Sequence, residues 1–526
     1  MRPRRLWQIV LGILASVLAF LAYAAFPGKS TFTVSPETTY VTGPLDKKGH
    51  VDYVSALNER LGKDIKPENN ANVLIWQALW PHPEGGTLPP EYFQWLGIES
   101  PPEKGDYLVG WQDYAKEHLK IHQENGRDPW LDRMQKAASW PWTAKENPEL
   151  ADWLMLNEKP LTVLMEATRR PEYFNPLVPN RTEDWSPGLI GALLPQVQKC
   201  RELATTLTCR AMLRIAEGKT EEAWHDLLAC HRLGRLIARG GSLIEMLVGI
   251  AIDQVASKAD LAFLDHASLT PKQALAYLED LQKIPPMPAL ADKMDLGERF
   301  MLLDGMMSAS HQGVSVFDDP SRLIEGRPPS DQSKARLFTF NVNWDPALRN
   351  ANAWLDRWVA ALQIKDRQAR MQELASIAED LRTLKQEVAN LDGIGKALTG
   401  PTGRGEMIGN IVIVMMLPAF EKIQVAADRC EQTQRNLHLA FALAAYKIDQ
   451  GHYPAKLDEL APKYIDGIPD DIFSGNPLIY RPVDKGYLLY SVGPNGKDDD
   501  GRSLEDEPRG DDIIVRMPVP EPRVKE

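Results

Sequence analysis

The chain has 526 residues, 44% of them hydrophobic, with a net charge of −12 and an isoelectric point near 5.5. That length leaves room for two or three domains, and the apolar share suffices to bury a real core. Basic residues cluster nowhere beyond the extreme N-terminus, so no face is prepared for phosphates and a nucleic-acid partner is excluded.

Met1-Arg2-Pro3-Arg4-Arg5 precedes an uncharged run from Leu6 to Phe26. At about 1.5 Å per residue, this run spans a bilayer core as one helix. The arginines hold residues 1–5 in the cytoplasm, so the remainder is expected to cross. The same features fit a cleaved signal peptide, with Ala22-Tyr23-Ala24 as a small-x-small site. Either way the body is exported. With the anchor retained, the chain is expected in the inner membrane as a single-pass protein, its bulk on the periplasmic side.

Residues 27–75 read as a polar lead-in with one short helix over Tyr53–Leu61. Between residues 76 and 153 tryptophan is dense: Trp76, Trp80, Trp95, Trp111, Trp130, Trp140, Trp142 and Trp153. A carbohydrate or peptide groove would use such a set, but core packing between Pro-rich loops is expected. Residues 151–170 predict one amphipathic helix stopped at Arg170-Pro171.

Two antiparallel helices are predicted over 197–216 and 221–238, turning at Glu217-Gly218-Lys219. This places Cys209 and Cys230 near one level, where a disulfide is allowed in an oxidising compartment; two buried thiols are the alternative. The layout is similar to one tetratricopeptide-type hairpin, with Gly218 and Ala223 at matching places. Arg235, however, stands where that motif closes with proline, and no second copy follows at about 34 residues. Residues 76–392 are therefore expected to form an irregular α-helical domain of bundles and hairpins.

Ile284-Pro285-Pro286-Met287-Pro288 breaks the helical pattern, and residues 312–350 predict a loop. A long helix is expected from Trp354 to Leu391. Its Leu374, Ile377, Leu381, Leu384, Val388 and Leu391 are spaced three and four apart, as in a short heptad seam packed within the domain. Residues 393–409 read as a Gly-rich linker. Met407–Phe420 is apolar but too short to cross a membrane, and predicts a buried helix.

Residues 410–517 predict a small α+β domain, with 518–526 as a tail. A long helix from Glu421 ends at Gly451. A short helix at Leu457–Leu460 follows, then a turn over Asp471–Pro477. Strands at Leu478–Arg481 and Tyr487–Ser491 make a hairpin signal, and Asp512–Arg516 makes a last strand after an acidic loop. The fold class expected is mainly α, with an N-terminal transmembrane helix and a C-terminal unit of a long helix plus three or four antiparallel strands.

The order of motifs here resembles the head of the type II secretion major pseudopilin (the G subunit). The matching residues are Ala442, Tyr446, Gly451, Tyr453, Pro454, Pro469, Asp471, Gly475, Asn476, Pro477, Tyr487, Ser491, Gly493, Gly496, Asp512 and Ile513. The chain also resembles large exported proteins of planctomycete-type bacteria, which share segments like Trp153–Asn157; that wider likeness implies no activity. Two departures limit the first resemblance. The pseudopilin's processing site, a Gly before Phe or Met with a Glu five residues on, is not found at this N-terminus. A helical region of several hundred residues also separates the apolar N-terminus from the head.

The resemblance implies a calcium site in the acidic loop, because calcium collects carboxylate and carbonyl oxygens. Asn495, Asp498, Asp499, Asp500, Asp511 and Asp512 are its candidate ligands. The loop is not an EF-hand, since Gly496 holds the first ligand position; a solvated acidic loop is the other reading.

Catalytic patterns are lacking. Glu117-His118 with His122 gives two imidazoles a turn apart but no third zinc ligand. No Gly-x-Ser-x-Gly elbow, Walker loop or dinucleotide fingerprint occurs. The expectation is a non-enzymatic, membrane-anchored binding or scaffold protein with an envelope or secretion-system partner. The alternative is an envelope-polymer hydrolase with its site in the Trp-rich helical region.

Overall fold

The computed structural model describes residues 31–80, 88–119, 129–180, 188–192, 194–312, 342–389, 400–416 and 420–522. In chain order the helices are α1 (Tyr53–Leu61), α2 (Ala71–Leu79), α3 (Pro90–Leu96), α4 (Trp111–Tyr114), α5 (Pro129–Ala137), α6 (Pro148–Leu156) and α7 (Glu158–Ala167). The central helices are α8 (Pro195–Ala216), α9 (Thr220–Ala238), α10 (Leu243–His266), α11 (Pro271–Gln282), α12 (Leu290–Lys293) and α13 (Arg299–Gln312). Then come α14 (Asp345–Leu362), α15 (Arg367–Ala389), α16 (Pro401–Met416) and α17 (Phe420–Gln450). Strands β1 (Ile479–Val483), β2 (Gly486–Ser491) and β3 (Ile513–Met517) close the chain as one antiparallel sheet in the order β1-β2-β3. The molecule is mainly helical with a small sheet, as expected, and the sheet has three strands.

Local chemistry sets the central boundaries. Ser242 and Glu245 form a reciprocal capping box that starts α10, and Thr270 with Gln273 does the same for α11, where Pro271 fits the first turn. The α8–α9 hairpin reverses at Glu217–Lys219 as predicted. Its packing surface continues onto α10, so α8, α9 and α10 form the centre of the body.

Several boundaries differ from expectation. The helix predicted over 151–170 is two helices broken at Asn157. The Asn157 side chain accepts from Val109 N–H (2.8 Å) and donates to the carbonyls of Val109 (3.1 Å) and Trp153 (3.0 Å). A buried Asn that bonds the backbone in this way competes with helix continuation. The helix predicted from Trp354 is also two, α14 and α15. The first begins at Asp345, inside the predicted 312–350 loop. Leu374, Ile377 and Leu381 bury the seam face of α15, whereas Leu391 lies outside the described residues.

The predicted 393–409 linker is corrected over 401–409, which belong to α16. Glycine there serves close packing rather than a break. A Cβ on Gly405 would stand 1.9 Å from the Asn343 carbonyl oxygen, and one on Gly409 would stand 2.7 Å from Ala347 Cα. Ile408, Val412 and Ile413 are buried, matching the buried helix expected from Met407.

Among the described residues the head shares an apolar core with the body. Leu437, Phe441, Leu443, Leu489 and Val515 are buried in one apolar cluster with Trp111, Trp153, Trp224 and Phe263 of the body. Helix α17 lies against α10 and α11 on one side and β3 on the other. Among the described residues no helix is long and apolar enough to cross a membrane. The predicted anchor at 6–26 lies outside them.

Candidate metal centre in the C-terminal head

The head is built by polar side chains that α17 extends to the loops below it. Asn436 Nδ2 donates to the Ile513 carbonyl (2.8 Å), fixing β3, and Ile472 N–H donates to Gln432 Oε1 (2.9 Å). Gly451 ends α17 with φ of 82°, a left-handed conformation that disfavours a side chain. Asp471, almost fully buried, receives Phe473 N–H (2.9 Å), Ser474 Oγ (3.0 Å), Ser491 Oγ (2.7 Å) and Val492 N–H (3.1 Å). Asp471 thereby ties the 471–477 turn to the end of β2. Tyr487, fully buried, meets Tyr453 edge-on at 4.9 Å.

The acidic loop runs between β2 and β3. Asp499, Asp511 and Asp512 each offer a carboxylate oxygen within 4.8 Å of the others. Asp499 Oδ2 accepts from Asp511 N–H and from Asn495 Nδ2, both at 3.0 Å. Asp511 Oδ2 accepts from Asn495 N–H (3.0 Å), and Asp512 Oδ2 from Gly501 N–H (2.8 Å). Asp511 Oδ1 is buried and has no hydrogen-bond partner among the described residues. Together the three carboxylates could hold a metal ion.

Burial pushes the Asp512 carboxyl above its ordinary range, with N–H bonds from Gly501 and Asp499 opposing and the charges of Asp499 and Asp498 adding. Asp499 is held below its range by the Asp511 N–H and by Asn495.

The other predicted ligands face elsewhere. Asp500 pairs with Arg481, which holds its carboxyl low, and Asp498 accepts from Tyr490 OH (3.1 Å) and Asp500 N–H (2.8 Å). Asn495 spends its Oδ1 on Lys497 N–H (2.6 Å). The candidate set is thus Asp499, Asp511 and Asp512, with Asn495 positioning two of them.

The predicted Cys209–Cys230 bridge is not formed; all four cysteines are free and buried. Cys230 Sγ faces the carbonyls of Ala204 and Ile252 (both 3.9 Å), and Cys209 Sγ faces that of Met134 (3.6 Å). Cys230 is level with Ala204, more than a helical turn along α8 from Cys209. His118 stacks on Tyr114 with ring centres 4.5 Å apart, and His122 lies outside the described residues. Trp76, Trp111 and Trp153 are fully buried, so they pack the core.

Sequence reasoning missed an ionic knot where α9, α10 and α17 meet. His231 is fully buried, its Nδ1 2.8 Å from Asp253 and its Nε2 2.8 Å from Asp260. Arg235 Nη1 lies 2.7 Å from Asp253 and its Nε donates to the Pro285 carbonyl (3.0 Å). From α17, Gln434 Nε2 donates to Asp253 (2.8 Å) and Cys430 Sγ approaches it at 3.3 Å. Burial works to lower the His231 pKa, yet Asp260 and the two hydrogen bonds win and raise it to about 9. The imidazolium with Arg235 balances two buried carboxylates. Nearby His438 is held neutral, its pKa lowered to about 4 by burial and by the charges of His231 and Arg235. The one signal in the sequence was Arg235, standing where a helical hairpin motif closes with proline.

The fold is thus a helical body carrying an α+β head with a three-carboxylate loop. Compared with known protein families, curated proteins and solved structures, the chain matches none.

Proposed function

We propose that this is a membrane-anchored, extracytoplasmic binding or scaffold protein, non-enzymatic, whose C-terminal unit is a calcium-binding head like that of a type II secretion pseudopilin. The observation that carries the reading is the orphaned Asp511 oxygen among the carboxylates of Asp499, Asp511 and Asp512, between the last two strands. Three acids held together by backbone N–H groups repel one another, and calcium removes that repulsion. The shared core of head and body supports a scaffold role, because a ligand on either is felt by both.

Within this reading the N-terminal helix is the membrane partner, and an envelope or secretion-system protein is the other. Cell fractionation with protease accessibility tests it. The chain is expected with the inner membrane, degraded by added protease in spheroplasts and protected in intact cells. Recovery from the soluble cytoplasm would overturn the placement.

A further inference from the structure

The body carries an open groove of about 330 Å³ between α7, α8 and the start of α9, most of its lining side chains exposed. Glu158, Glu166 and Glu222 line it with Arg169 and Arg214, beside the His225 imidazole, Thr162 and Met165. Beneath lies a rigid base. Arg210, 6% exposed, holds fully buried Asp226 through Nε (3.1 Å) and Nη2 (2.7 Å), and Glu158 through Nη1 (3.1 Å). Arg214 Nη1 bonds the same Asp226 (2.7 Å) and the Glu222 carbonyl (3.2 Å). The guanidinium of Arg214 is thereby fixed in place at the wall.

Not all of this lining is used internally. Among the described residues nothing hydrogen-bonds the Nε or Nη2 of Arg214, the His225 ring or the Glu222 carboxylate. Arg169 and Glu166 stand 3.6 Å apart, both largely exposed, in the kind of loose pair that contributes little stability. Donors and acceptors of opposite charge thus face one small space. Its volume lies at the low end for a ligand site and suits a ligand of dipeptide size.

We propose that this groove binds a small zwitterion, an amino acid or short peptide with free termini. Its carboxylate lies on Arg214 and His225, its ammonium on Glu222 and Glu166, and its side chain on Met165. An arginine fork matches a carboxylate in two parallel hydrogen bonds, and the glutamates give the ammonium a charge-assisted partner. A simple anion would meet three glutamates, and a simple cation the arginines, so both charges on one ligand are required. The inference rests on reading the body as a binding unit and is independent of calcium in the head.

Titration calorimetry on the full chain tests it, with L-alanyl-L-alanine as probe. Binding is expected, weakened tenfold or more by Arg214→Gln and by Glu222→Gln. The N-acetylated and the C-amidated dipeptide are each expected to bind at least tenfold more weakly. Glu222→Gln keeps the result readable should Arg214→Gln disturb Asp226 and the fold. No heat with millimolar dipeptide, or equal affinity for the blocked forms, would overturn the proposal. Calcium binding measured on the same samples reports on the head separately, so failure of one reading is distinguishable from failure of the other.

Discussion

His231 bridges two buried carboxylates, Asp253 and Asp260, and α17 reaches the first of them through Gln434. Removing one partner from a buried charge cluster leaves the others uncompensated, at a cost of about 3–5 kcal/mol. His231→Gln is therefore expected to lower stability by that amount at neutral pH, measured by urea denaturation. The sign of the pH dependence follows from the raised pKa. His231 contributes fully below its unfolded value near 6.5, and the contribution fades as pH rises through about 9. Wild-type stability should fall between those limits, and the variant should lack that component. A second residue-scale prediction separates the six acidic-loop candidates. Asp511→Asn and Asp499→Asn should abolish any stabilisation by calcium, whereas Asp500→Asn, which breaks only an exposed pair with Arg481, should preserve it. Loss in Asp500→Asn and retention in Asp511→Asn would place the ion elsewhere.

At the level of elements, periodicity and turn residues made much of the C-terminus legible. The end of the long helix at Gly451, the hairpin and the last strand are where the alternating pattern put them. What stayed hidden depended on tertiary contact. Glycine between residues 393 and 409 reads locally as a break, yet Gly405 and Gly409 sit in a helix because α14 and its lead-in approach too closely for a side chain. The ligand set of the loop was legible as a group of six but not as three, since only the fold turns Asp500 toward Arg481. Apart from Arg235 the knot left no signal, because the charges of the consecutive helices α9 and α10 read as ordinary helix polarity and their α17 partners lie far along the chain. Gly405→Ala should destabilise by about 1–3 kcal/mol through overpacking against the Asn343 carbonyl. Gly467→Ala, with open space around it, should change little. Equal effects in thermal melts would deny the close approach of α16.

At the scale of the molecule, the head and body are fused by the apolar cluster that runs from Trp111 to Met517 and by the knot at α17. Units that share a core unfold together. A change at the acidic loop should therefore move the unfolding of the helical body too, and calorimetry should record one coupled transition rather than two. The measurement that tests the central claim most directly is the thermal unfolding of the full chain with and without millimolar calcium. The whole transition is predicted to rise with calcium in the wild type and to stay fixed in Asp511→Asn. A wild-type transition indifferent to calcium would contradict the account.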